Sequence, residues 1–132
     1  MIKKVLVIDD NEMDRFIATR IIQKSGLVEE TVVKESAMNA LEYLESIVKE
    51  SAAPPELIFL DIRMPEMDGF DFLEIFAKFP RSFTNNSRVI MLSTTAHPED
   101  HKRITESLYV NCLLNKPLDQ SKLETILSKG LN

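Results

Sequence analysis

Five short apolar runs, at residues 5–8, 31–33, 57–60, 89–92 and 112–114, are each followed by a segment with helical character. The runs are too short for helices and read as strands. In the intervening segments apolar residues recur every three or four positions. The first, 11–24, carries Met13, Phe16, Ile17 and Ile21, and Gly26 suits its end. The second follows Ser36, a capping residue, and carries Met38, Leu41, Leu44, Ile47 and Val48. The third, 70–78, carries Phe72, Leu73 and Phe76. The fourth starts at Pro98, with Glu99 and Asp100 at its positive end, and the last follows Asp119 with Leu123, Ile126 and Leu127. A chain that alternates in this way folds as α/β, with a parallel sheet and helices on both faces, because each crossover must return over one face. Residues 79–88 are polar and read as a loop, longer than the usual connection of about two to six residues.

The length of 132 residues suits one domain, 1–132, with a single core. A net charge of −5 argues against binding nucleic acid by neutralising phosphates. No apolar run approaches the roughly 20 residues that span a bilayer. The first apolar run meets Asp9 and Asp10 too soon for a signal peptide, so a cytoplasmic location is expected, without membrane or nucleic-acid partners. The single cysteine, Cys112, excludes an intrachain disulfide and a cysteine-based zinc site, and its apolar run predicts a buried thiol.

Ligands of an open parallel sheet bind beyond the carboxyl ends of its strands. Here the first strand ends in Asp9 and Asp10, the third in Asp61, the fourth in Ser93 and Thr94, and the fifth leads to Lys116 and Pro117. Three carboxylates brought together repel one another, and a hard divalent cation such as Mg²⁺ is the natural remedy. With that charge offset, a carboxylate can accept a phosphoryl group as an acyl phosphate. Lys116 would neutralise phosphoryl oxygens and Ser93, preferred over Thr94, would donate a hydrogen bond to one. His97 and His101 have no third ligand beside them and read as surface residues.

Four motifs stand in register: Ile8-Asp9-Asp10; Leu60-Asp61-Ile62-Arg63-Met64-Pro65-Glu66-Met67-Asp68-Gly69; Met91-Leu92-Ser93-Thr94-Thr95; and Asn115-Lys116-Pro117. In this the chain resembles the receiver domain of two-component response regulators over nearly its whole length. The resemblance implies a flavodoxin-like (βα)5 fold with strand order 2-1-3-4-5. It implies Asp61 as phosphoacceptor, Ser93 as the phosphoryl-sensing hydroxyl and Lys116 as its salt-bridging ammonium. It also implies Mg²⁺, or Mn²⁺ in its place, held by Asp10, Asp61 and the Arg63 backbone carbonyl, with Asp9 acting through a metal-bound water. Such domains are signalling modules rather than enzymes acting on a metabolite, although they assist their own phosphorylation and dephosphorylation. The bond before Pro117 is expected to be cis.

The implied partners are a sensor histidine kinase or a histidine phosphotransfer protein, and a downstream protein on the face running from Pro98 to Lys129, which also offers a homodimer surface. A stand-alone receiver without an output domain is expected. Two departures matter. Leu113 stands where many receivers carry a switching Tyr or Phe, with Tyr109 as a substitute. Arg63 and Thr95 stand where the family tunes acyl-phosphate hydrolysis, Arg63 either blocking water or pairing with an acid. Asp68 and Gly69 read as a turn. The competing readings are a phosphorylation-independent interaction scaffold, which Leu113 keeps open, and an Asp-nucleophile phosphatase, which Arg63 disfavours because such enzymes usually place a second Asp there.

Overall fold

In a computed structural model, which describes residues 1–94 and 97–128, the strands are β1 (Ile2–Ile8), β2 (Val28–Lys34), β3 (Leu57–Asp61), β4 (Arg88–Ser93) and β5 (Val110–Asn115). The helices are α1 (Glu12–Ser25), α2 (Ala37–Lys49), α3 (Gly69–Phe76), α4 (Arg81–Thr84), α5 (Pro98–Glu106) and α6 (Gln120–Ser128). All strands are parallel in the order β2-β1-β3-β4-β5, so the expected topology is met.

The central strands are apolar on both faces, as a sheet covered on both sides requires. Leu6, Ile8, Ile58, Leu60, Val89 and Met91 join one core with α2 and α3. Their alternates Val5, Val7, Leu57, Phe59, Ile90 and Leu92 join a second with α1 and α6. The edge strands β2 and β5 run longer than their apolar runs suggest, and Glu29 and Glu30 lie within β2. An edge strand meets solvent along one side, so its composition signals it weakly.

Four expectations need correction. Met13 and Phe16 are 63% and 59% exposed, while α1 buries Ala18 and Ile22. Phe16 precedes Ala18 by two positions, about 200° around the helix. Met38 is likewise exposed, beside the buried Ala37 and Ala40 of α2. The 79–88 segment contains the single turn α4, which buries Phe83 against Phe79, with ring centroids 5.7 Å apart. Cys112 is only half-buried, on edge strand β5.

Helix boundaries follow capping chemistry. Asn11 and Ser36 accept from the backbone N–H groups of Asp14 and Asn39, satisfying donors that a helix start leaves unpaired. Gly26 closes α1 at φ +68°, a left-handed conformation that glycine adopts without a Cβ clash. Among the described residues, no helix is long and apolar enough to cross a membrane.

Candidate phosphoryl-acceptor site

The strand ends converge as expected. Asp9 and Asp61 are buried, Asp10 is exposed, and carboxylate oxygens of all three lie within 4.8 Å of one another. No other group of three or more His, Cys, Asp or Glu residues among the described ones could hold a metal. A set of oxygen donors with this density of negative charge fits a hard divalent cation.

Lys116 reaches into the cluster from the end of β5, and the peptide bond that joins it to Pro117 is cis. Its Nζ lies 2.8 Å from Asp9 Oδ2, 2.9 Å from Asp14 Oδ2 and 3.3 Å from Asp61 Oδ1. Burial alone would lower the Lys116 pKa. The hydrogen bonds that the ammonium donates to Asp14 and Asp9 and the charges of Asp61 and Asp9 outweigh it and hold the ammonium above its usual range. The Asp61 pKa is raised too, which for a carboxyl disfavours the charged form. Burial and the nearby charge of Asp9 push its pKa up to about 7 against the opposing pull of Lys116, with the Asp10 carboxyl adding to the rise. Such a shift marks a group held in a costly ionisation state.

Asp14 was not among the expected site residues. It lies in the first turn of α1, three residues after the cap Asn11 and close in sequence to Asp9 and Asp10, and that proximity was the available signal. Asp9 is oriented through its own Oδ1, which accepts from the Asn11 N–H at 3.0 Å, while the Arg15 guanidinium donates to the Asp9 carbonyl at 2.9 Å. Ser93 is the last residue of β4 and buried, whereas Thr94 is exposed. The Lys116 N–H donates to the Ser93 carbonyl at 2.9 Å, bringing the two side chains' backbones together.

Arg63 leaves the strand end toward α5 and pairs with the buried Asp100. Of the two roles its sequence position suggested, pairing with an acid is the one realised. Tyr109 sits just before β5, edge-on to Phe76 with centroids 5.6 Å apart. That is the far end of the strand from Lys116, about 20 Å away along an extended chain, so Tyr109 does not stand in for a ring at Leu113. His97 and His101 are exposed. Thr95 and Lys129 lie outside the described residues.

Gly69 follows the turn as the first residue of α3, and the positive φ of this loop belongs to Glu66. A Cβ at Gly69 would lie 2.6 Å from the Asp61 carbonyl oxygen and 2.8 Å from the Met91 methyl. The glycine is needed for close approach, which lets its N–H reach the Ile62 carbonyl at 2.9 Å while Asp68 caps α3. Gly69→Ala is therefore expected to cost about 2 kcal/mol by overpacking. Urea unfolding would check this, and an unchanged midpoint would refute the close-packing account.

A doubly wound parallel sheet with an acidic pocket, a buried lysine and a buried hydroxyl at its strand ends defines the class of protein. The chain belongs to the response regulator receiver domain family, whose model matches residues 5–128. A two-component response regulator from Cytophaga hutchinsonii superposes with a TM-score of 0.88 at 30% identity, covering 97% of this chain and 96% of that one. Response regulator Rcp1 of Synechocystis is 26% identical over 86% of this chain and 76% of its own length. A stretch of hybrid signal transduction histidine kinase L of Dictyostelium discoideum is 28% identical over 98% of this chain, which spans only 7% of that protein. The chain is thus a signalling domain of the phosphoacceptor type that serves two-component systems.

Proposed function

We propose that Asp61 accepts a phosphoryl group from a phosphohistidine of a sensor kinase or phosphotransfer protein, as a single receiver domain working through a protein-interaction surface. The observation that carries this reading is the Lys116 ammonium within 3.3 Å of both Asp9 and Asp61 in an otherwise acidic pocket. An ionised Asp61 oxygen forms the new O–P bond as the P–N bond breaks, and the donor imidazole leaves with the electron pair. Lys116 then pairs with a phosphoryl oxygen, and the Ser93 hydroxyl donates to another.

Asp10, Asp61 and the Arg63 carbonyl would hold Mg²⁺, or Mn²⁺ in its place, with Asp9 acting through a bound water. When bound, that cation supplies charge neutralisation for the carboxylates and the incoming phosphoryl oxygens. Output would pass to a cytoplasmic protein partner, or a second copy, on the face that includes α5, β5 and α6.

Intact mass after incubation with acetyl phosphate and Mg²⁺ tests this proposal. One added phosphoryl group is expected in wild type, and none with EDTA or in Asp61→Asn. Absence of the adduct in wild type, together with no response to a beryllofluoride mimic, would favour a constitutive scaffold instead.

A further inference from the structure

Asp100 is the one buried residue of α5, at 3% exposure. Its Oδ2 accepts from the His97 N–H at 2.9 Å and from the Arg63 guanidinium at 2.5 Å. The Arg63 side chain is 49% exposed, and Asp100 is its only ion-pair partner among the described residues. Arg63 lies two residues past Asp61, in the segment that leaves the strand end, close to a cluster of three carboxylates and Asp14 that holds a single ammonium, Lys116. An arginine released there would be drawn to those carboxylates, because a guanidinium forks onto them readily and cannot lose its charge.

We infer that Asp100 is a positioning residue that holds the Arg63 guanidinium off the Asp10–Asp61 cluster and so keeps those carboxylates available to a divalent cation. The pair spans 37 residues and joins α5 to the segment after β3. Helix α5 is also tied to α3, where the Arg103 guanidinium lies 3.9 Å from the Phe70 ring centroid. The inference rests on the functional reading above, in that it assigns the acidic cluster to a cation.

The test is Mn²⁺ affinity measured by electron paramagnetic resonance on the full chain. Asp100→Asn keeps an acceptor for the His97 N–H and removes the charge that holds Arg63. It is expected to weaken Mn²⁺ binding roughly two- to fivefold, the scale of one partly exposed ion pair competing for the site. Adding Arg63→Ala to that variant is expected to regain the loss. Unaltered affinity in Asp100→Asn, or a double variant as weak as the single one, would overturn the role and leave Asp100 a helix cap only. Should Asp100→Asn fail to fold, Arg63→Ala alone decides. Tighter Mn²⁺ binding supports a restrained competitor, and unchanged or weaker binding refutes it. Wild type that takes up neither Mn²⁺ nor a phosphoryl group would instead defeat the functional reading itself.

Discussion

Lys116→Met is expected to lower the stability of the metal-free protein by about 3–5 kcal/mol, the usual loss when one partner of a buried ion pair is removed. Methionine keeps much of the apolar stem, so the change isolates the charge. The ammonium is surrounded by Asp9, Asp14 and Asp61 within 3.3 Å, and its side chain is only 8% exposed. Without it, two buried carboxylates and a partly buried one face each other uncompensated. Excess Mg²⁺ should restore part of the loss, since any ligand that binds only the folded state stabilises it by mass action. Urea unfolding in EDTA and in Mg²⁺ measures both quantities. A loss below about 1 kcal/mol in EDTA would mean that the carboxylates relax into solvent, and the buried-pair account would fail. The same variant should slow phosphoryl uptake from acetyl phosphate roughly a hundredfold or more.

The second large effect concerns pH. In the folded, metal-free protein the Asp61 carboxyl has its pKa pushed up to about 7 by burial and Asp9, against an ordinary value of 3.8. Between those values the folded state keeps a proton that the unfolded state has released. Stability contributed by this group therefore falls as pH rises from about 4 to about 7. Below that window the penalty is absent, and above it the penalty is complete. Asp61→Asn cannot ionise, so at pH 8 in EDTA it should be more stable than wild type by about 2–3 kcal/mol, with the gain vanishing near pH 4. Unfolding midpoints of the two proteins at pH 4.5 and pH 8 provide the comparison. Equal differences at both pH values would show that Asp61 titrates normally.

These effects have a functional meaning. A carboxylate that is costly to ionise gains stabilisation when a cation or a phosphoryl group relieves the charge, so ligand binding and folding energy are linked at Asp61. The Lys116 contacts with Asp9 and Asp14 position the ammonium before any ligand arrives, which reduces the reorganisation needed during transfer.

Much of this was legible in the residues themselves. Two-residue alternation within β1, β3 and β4 encodes a sheet covered on both faces, because both sets of side chains are apolar. Charged and hydroxyl residues at the carboxyl ends of those strands place Asp9, Asp10, Asp61 and Ser93 at one end of the sheet, since parallel strands share a direction. The caps at Asn11 and Ser36 and the stop at Gly26 are local, so short-range chemistry specifies them.

Other features depend on contacts between residues far apart in the chain. Which face of α1 is buried was misjudged from Met13 and Phe16, because the outer face of a helix is defined only by what packs against the other. Asp14 joins the site through Lys116, 102 positions away, and Arg63 pairs with Asp100, 37 positions away, although Asp61 is two positions before it in the chain. Gly69 is required by the Asp61 carbonyl and Met91, neither of them a chain neighbour. Sequence pattern determined the sheet, its direction and the acids at its mouth, since periodicity and strand polarity are properties of the chain alone. Tertiary structure decided which charge meets which, because an ion pair depends on distance and burial that arise only when the elements pack.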